Sequence, residues 1–92
     1  MAITFDTRKR EWTLLHRQVD FADADQVFAG PTFTQVDDRK DYGEERLVTV
    51  GRLNGRMVIV VWTARGEDQH IISMRKANDR EKARYAYRLE EA

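Results

Sequence analysis

The sequence predicts an α+β domain, with helices and strands segregated along the chain. Three observations lead there. Asn54-Gly55 lies between two β-favouring runs, Arg46 to Leu53 and Arg56 to Thr63, and both turn residues tolerate the positive φ of a type I′ hairpin. Carboxylate or amide caps precede helix-spaced apolar residues near both ends of the chain. No strand-helix-strand alternation appears, and 92 residues suffice for one core and a single domain spanning 1–92.

Taken in order, Ala2 to Phe5 alternates as an opening strand. Asp6 caps a helix through Arg8, Trp12 and Leu15 that runs to about His16, because a carboxylate there satisfies unpaired backbone N–H groups. Asp20 is a second cap, with Phe21, Ala24, Val27 and Phe28 at helical spacing before Gly30-Pro31 stops the element. Both helices are expected to bury one side against a sheet. Thr32 to Val36 favours a strand, whereas residues 37–43 have almost nothing to bury and read as a mobile loop. Val58 to Trp62 is apolar on both strand faces, as a central strand covered on each side must be. Arg65 to Asp68 turns the chain, Gln69 to Arg75 forms the last strand, and Asn78-Asp-Arg-Glu81 opens the final helix as a capping box. The expected architecture is two N-terminal helices and a C-terminal helix on a roughly four-stranded antiparallel sheet.

Apolar residues make up 41% and charged residues 35%, so the chain is wetter than average but not disordered in composition. Without cysteine there is no disulfide framework and no thiolate site, and His16 and His70 lack ligand spacing; neither a metal nor another cofactor is expected. No apolar run approaches the roughly 20 residues that span a bilayer, and Met1 to Phe5 lacks a leader pattern. A cytoplasmic protein without a membrane partner is the default. The net charge of zero hides an asymmetry: residues 20–45 carry eight acids against two bases, and residues 69–88 six bases against two acids. Such a chain attracts a polyanion on one side only, unless both runs are simply solvated faces.

The paired strands ending in Arg65 and in Ser73-Met-Arg75-Lys76 suggest an anion-holding surface. Alternation puts His70, Ile72 and Met74 on one side of the last strand, and Ile71, Ser73 and Arg75 on the other. Arg75 is planar and permanently charged and donates two parallel hydrogen bonds to a phosphate, which Lys76 beside it does not; its alternative is a salt bridge to Glu81 or Glu45. Arg65 falls several positions away and reads as an exposed turn residue. Glu81 and Tyr85 share a helix face with Arg84 and Arg88 adjacent, a set able to do acid–base and charge-stabilising work; capping and packing are their structural alternatives. Lys9 and His16 lie seven apart on the first helix, as a base and helper or as surface and helix-end residues. Glu44, Glu45 and Arg46 read as a solvated trio. No nucleophile elbow, phosphate loop or metal-binding spacing is present.

Asp6-x-x-Lys9, Val19-Asp-Phe-Ala-Asp-Ala24 with Val27-Phe28, Asp38-Arg-Lys-Asp-Tyr-Gly-Glu44-x-Arg46, Gly51, Val60-Val-Trp-Thr63-x-Arg65, and Ile71-Ile-Ser-Met-Arg-Lys-Ala77 with Glu81 and Tyr85 together resemble the BrnT toxins of bacterial toxin-antitoxin pairs. The chain departs from that pattern at His16-Arg-Gln18, which is one position out of step with the Lys-His-Gly of many members and lacks its glycine, and at Thr13, where an asparagine is frequent. The resemblance implies a RelE-like fold and a metal-independent endoribonuclease that inhibits translation, the RNA 2′-hydroxyl attacking the adjacent phosphodiester. It implies Lys9, Arg65, Arg75 and Glu81 as catalytic residues: the arginines on the transition-state charge, Lys9 or Glu81 in proton transfer. Ser73, Lys76, Arg84 and Tyr85 would bind RNA, Tyr85 by positioning or stacking on a base.

The resemblance also implies a BrnA-like ribbon-helix-helix antitoxin, a toxin-antitoxin heterotetramer, and contact with operator DNA only through that partner. The antitoxin would cover the basic helix or a sheet edge. The alternatives are a catalytically degenerate toxin-fold module acting as corepressor with such an antitoxin, favoured by the zero net charge, and an oligomerisation domain.

Overall fold

The computed structural model describes residues 2–38 and 43–91. The chain opens with β1 (Ile3–Phe5) and α1 (Thr7–Arg17), passes a 3₁₀ turn (Phe21–Asp23) into α2 (Ala24–Ala29), lays down β2 (Phe33–Asp37), β3 (Arg46–Leu53), β4 (Arg56–Arg65) and β5 (Asp68–Lys76), and closes with α3 (Asp79–Glu91). The sheet order is β1-β5-β4-β3-β2. β1 runs parallel to β5 and every other pairing is antiparallel. The expected four-stranded antiparallel sheet is therefore a five-stranded mixed one. The additional strand is the opening segment, which the intervening helices carry alongside the last strand rather than beside its neighbours in sequence. Gln69 N–H donates to the Ala2 carbonyl at 2.8 Å, and the Thr4 hydroxyl bonds His70 Nδ1 at 2.8 Å. A pairing between residues so far apart leaves no local mark on a three-residue strand.

The local signals hold. The Asp6 carboxylate accepts from the N–H groups of Arg8 and Lys9 at 2.8 and 3.2 Å, and α1 runs one residue past His16. Asn54 and Gly55 take φ of 53° and 77°, the conformation a type I′ turn demands. Asn78 and Glu81 exchange their capping bonds at 2.8 and 3.0 Å, side chain to backbone in each direction. The second helix is divided: Asp20 caps the 3₁₀ turn through the Ala22 N–H, and α2 begins only at Ala24. Asp20 also holds Arg10 at 2.7 and 3.0 Å, tying α1 to that turn. The turn after β4 is only Gly66-Glu67, so β5 starts at Asp68. Of the expected loop, Asp37 belongs to β2 and is buried, whereas residues 39–42 lie outside the described residues.

Each face of the sheet is covered differently. On one face the α1–α2 segment packs Val19, Phe21, Ala24 and Val27 against Leu53, Val58, Val60, Ile71 and Met74. α2 approaches so closely that a Cβ on Gly51 would lie 2.6 Å from Val27 Cγ1, which is why the strand carries glycine there. On the other face α3 buries Leu89 against Val50, Met57, Ile59 and Ala77. β4 is the central strand, with both its faces covered from Met57 to Val60, as its apolar run predicts.

Two expectations about direction fail. A bulge skips Ile72, since Val61 pairs with Ser73 while Trp62 pairs with Ile71. One extra residue inverts the alternation, so Ile71 shares the α1–α2 face with Met74 rather than lying beside Ser73 and Arg75. α1 likewise buries only Thr13 and leaves Trp12 51% and Leu15 75% exposed. Its line Lys9–Thr13–Arg17, at intervals of four, meets β5 instead and lines a cleft with Ile72 and Ser73. His16 lies outside that cleft, exposed and stacked at 4.7 Å on Trp12. No helix among the described residues is long and apolar enough to cross a membrane.

Candidate functional site

α3 covers its sheet face incompletely. The uncovered part is a groove of about 570 Å³ floored by Val48, Val50, Ile59 and Val61 and walled by Arg17, Gln35, Asp37, Asp38, Ser73, Arg75, Glu81, Arg84 and Tyr85. Three guanidinium groups and three carboxylates line it, so the site is polar and charged without being a uniformly positive patch.

Arg75 is the groove arginine held by a two-pronged carboxylate contact. It lies on β5 opposite Ile59, and its two terminal nitrogens donate to the two carboxylate oxygens of Glu81 at 2.7 and 2.8 Å. This fork-on-fork pair holds the guanidinium plane more firmly than one hydrogen bond would. Glu81 also accepts from the Asn78 backbone, so the salt bridge and the capping box are one network. The hydrogen bond from Arg75 is the main reason the Glu81 carboxyl is pulled down to about 2; burial opposes it and the Asn78 N–H adds to it. Such a weakly basic carboxylate is poorly matched to accepting a proton near neutral pH.

Of the other sequence-predicted residues, Ser73, Arg84 and Tyr85 line the groove with Arg75 and Glu81. Tyr85 is half-buried with its ring 5.9 Å from Phe33, so it both packs and borders the groove. Lys9 lines the adjoining cleft, which shares Arg17 and Ser73 with the groove. Two residues fall elsewhere. Lys76 pairs with Val58 and lines a cleft with Gln18, Asn54 and Arg56, on the opposite side of the sheet from Arg75. Arg65 shares the α3 side by strand parity but lies six positions along β4 from Ile59, about 20 Å away at strand rise. It ion-pairs Glu44 at 3.5 Å.

Around Arg65 lies a second charged cluster. Half-buried His70 is shifted below its ordinary value, first by desolvation and then by the charges of Arg65 and Lys9, against the opposing pull of Glu44 and Asp6. Arg17, Gln35, Asp37 and Asp38 are groove residues that are not among the candidates from sequence. Only Arg17 had a signal, the interval of four from Thr13 and of eight from Lys9; the others depend on how β2 is placed. Among the described residues no group of three or more His, Cys, Asp or Glu side chains is arranged to hold a metal.

Fold and groove together define a small α+β domain with an arginine-bearing cleft on one sheet face. Residues 5–81 match the family described as the ribonuclease toxin, BrnT, of type II toxin-antitoxin systems, and the chain belongs to that family. RNA is accordingly the family's target and an antitoxin its partner. A search of curated proteins found no match.

Proposed function

We propose that this chain is the toxin of a type II pair and cleaves RNA within the α3-side groove. The observation that carries the reading is the Arg75–Glu81 network, a guanidinium fixed in plane at the wall of an open polar cleft. In the proposed step the ribose 2′-oxygen attacks the neighbouring phosphorus and the 5′-oxygen leaves with its bonding pair. The 2′-hydroxyl gives up its proton and the leaving oxygen gains one, producing a 2′,3′-cyclic phosphate and a 5′-hydroxyl. Arg75 stabilises the additional negative charge on the phosphate, an effect worth roughly 3–4 kcal/mol for a well-placed donor in a sheltered site.

Glu81 acts through Arg75 as a positioning residue, because its carboxyl is held too acidic for the proton-transfer role that the sequence suggested. Arg17 and Arg84 flank the phosphate, and Ser73 and Tyr85 position the nucleotide. Arg65, at the far end of β4, and Lys9, on α1 in the adjoining cleft, hold the chain beyond the reacting bond rather than at it. In this reading a ribbon-helix-helix antitoxin of the BrnA kind masks the groove, assembles with the toxin as a heterotetramer, and brings it to operator DNA.

Inducing the chain in bacteria beside Arg75→Ala, and mapping RNA ends within minutes, tests the proposal. New ends in the parent alone are expected. Intact RNA in both strains, with soluble protein, would favour the corepressor reading, which rests on the balanced charge of the groove.

A further inference from the structure

Beyond the groove, the outer side of α3 and edge strand β2 form a second cleft of about 260 Å³ lined by Phe33, Gln35, Arg84, Tyr85, Tyr87 and Arg88. Gln35, Arg84 and Tyr85 line the groove as well, so the two depressions are continuous. The second contains three aromatic rings and two arginines in mutual contact. The Arg88 guanidinium sits 4.8 Å from the Phe33 ring centre and 5.3 Å from that of Tyr87, while Arg84 lies 5.8 Å from Tyr85.

Packing explains only part of this cluster. Tyr85 and Phe33 border the core around Leu89. Tyr87 is 51% exposed and Arg88 is exposed, and neither belongs to that core. Among the described residues neither Arg84 nor Arg88 forms an ion pair, and Arg88 lies beside the exposed ring of Tyr87. Flat aromatic and guanidinium surfaces next to positive charge suit the stacking of an unpaired base with its phosphate held alongside. The exposed amide of Gln35, at the junction of the clefts, is placed to hydrogen-bond a base edge.

We infer that this cleft is a nucleotide-binding subsite for single-stranded RNA, in which Tyr87 and Arg88 stack a base that flanks the nucleotides held in the groove. The inference rests on the ribonuclease reading for its ligand but concerns binding, not bond cleavage.

The test uses a fluorescent octanucleotide, uniformly 2′-O-methylated so that no 2′-hydroxyl can attack, with each base in turn removed to leave an abasic residue. Binding is measured by anisotropy for the parent, Tyr87→Ala and Arg88→Ala, exposed-site variants whose folding is checked by thermal melting. At one position the missing base should weaken parental binding about tenfold, within the range for loss of one base stack, and this penalty should disappear in both variants. A penalty that persists unchanged in the variants, no position-dependent penalty, or no binding by the parent would each overturn the inference. Variants that bind RNA as the parent does but escape neutralisation by an antitoxin would also overturn it and make the surface a protein-docking site. An unmodified octanucleotide, run in parallel, separates the two claims. Position-dependent binding without cleavage refutes the ribonuclease reading alone, whereas cleavage with an unaltered penalty in the variants refutes the subsite alone.

Discussion

The two faces of the sheet are built for different purposes. The α1–α2 side is closed by interlocking Val19, Phe21, Ala24 and Val27 over β3, β4 and β5, with Gly51 keeping helix and strand in close contact. The α3 side is anchored mainly by Leu89 over Met57 and Ile59, and past Tyr85 it opens into the groove. One side supplies the stability that lets the other leave charged groups in an open cleft.

Removing one anchor from each side sharpens this contrast most. Phe21→Ala should cost about 3–5 kcal/mol, since a fully buried ring leaves a cavity that neighbouring elements cannot fill, and hydrogen exchange should report global unfolding. Leu89→Ala should cost about 2–4 kcal/mol, but with protection lost first in α3 and RNA cleavage falling while the α1–α2 side stays protected. Equal loss of protection on both sides would show that the faces are not independent.

The next effect is electrostatic. Glu81 lies at about 2, below its ordinary 4.5, so its stabilisation is complete above about pH 4.5 and is lost as pH falls towards 2. Glu81→Gln should therefore lose on the order of 2 kcal/mol in urea melts at pH 7, after discounting for the partly exposed Arg75, and the gap from the parent should narrow near pH 2.5. If Glu81 acts through Arg75, the same variant slows cleavage less than Arg75→Ala does.

The smallest expected effect is a gain. Gln18 ends α1 in the left-handed conformation with φ of 58°, which a side chain adopts at a cost that glycine avoids. Gln18→Gly should raise stability by about 1 kcal/mol, seen as a higher melting temperature with the groove's activity unchanged.

The elements legible in the sequence were those specified within a few residues. Asn54-Gly55, the Asp6 cap and the Asn78–Glu81 box each state their geometry locally, and the apolar run of β4 announces a central strand. Long-range pairing left no such trace. The bulge at Ile72 reverses which side chains face α3, and the parallel docking of β1 depends on where α1 and α2 carry the chain. The candidate site was legible to the same degree. Arg75, Glu81, Ser73, Arg84 and Tyr85 converge because one strand end and the first turn of one helix supply three of them and the helix's second turn the other two. Lys76 diverges because adjacent strand residues point to opposite faces, and Phe33 and Gln35 enter through an edge strand whose placement only the fold reveals.

The central claim is that bond cleavage occurs at the Arg75 end of the β4–β5 face and not at the Arg65 end. The most direct measurement is the single-turnover cleavage rate of a defined RNA by purified parent, Arg75→Ala and Arg65→Ala. Arg75→Ala should lose at least about 100-fold in the saturated rate. Arg65→Ala should keep its saturated rate close to the parent's and lose only salt-sensitive binding. A saturated rate destroyed by Arg65→Ala and spared by Arg75→Ala would contradict the claim.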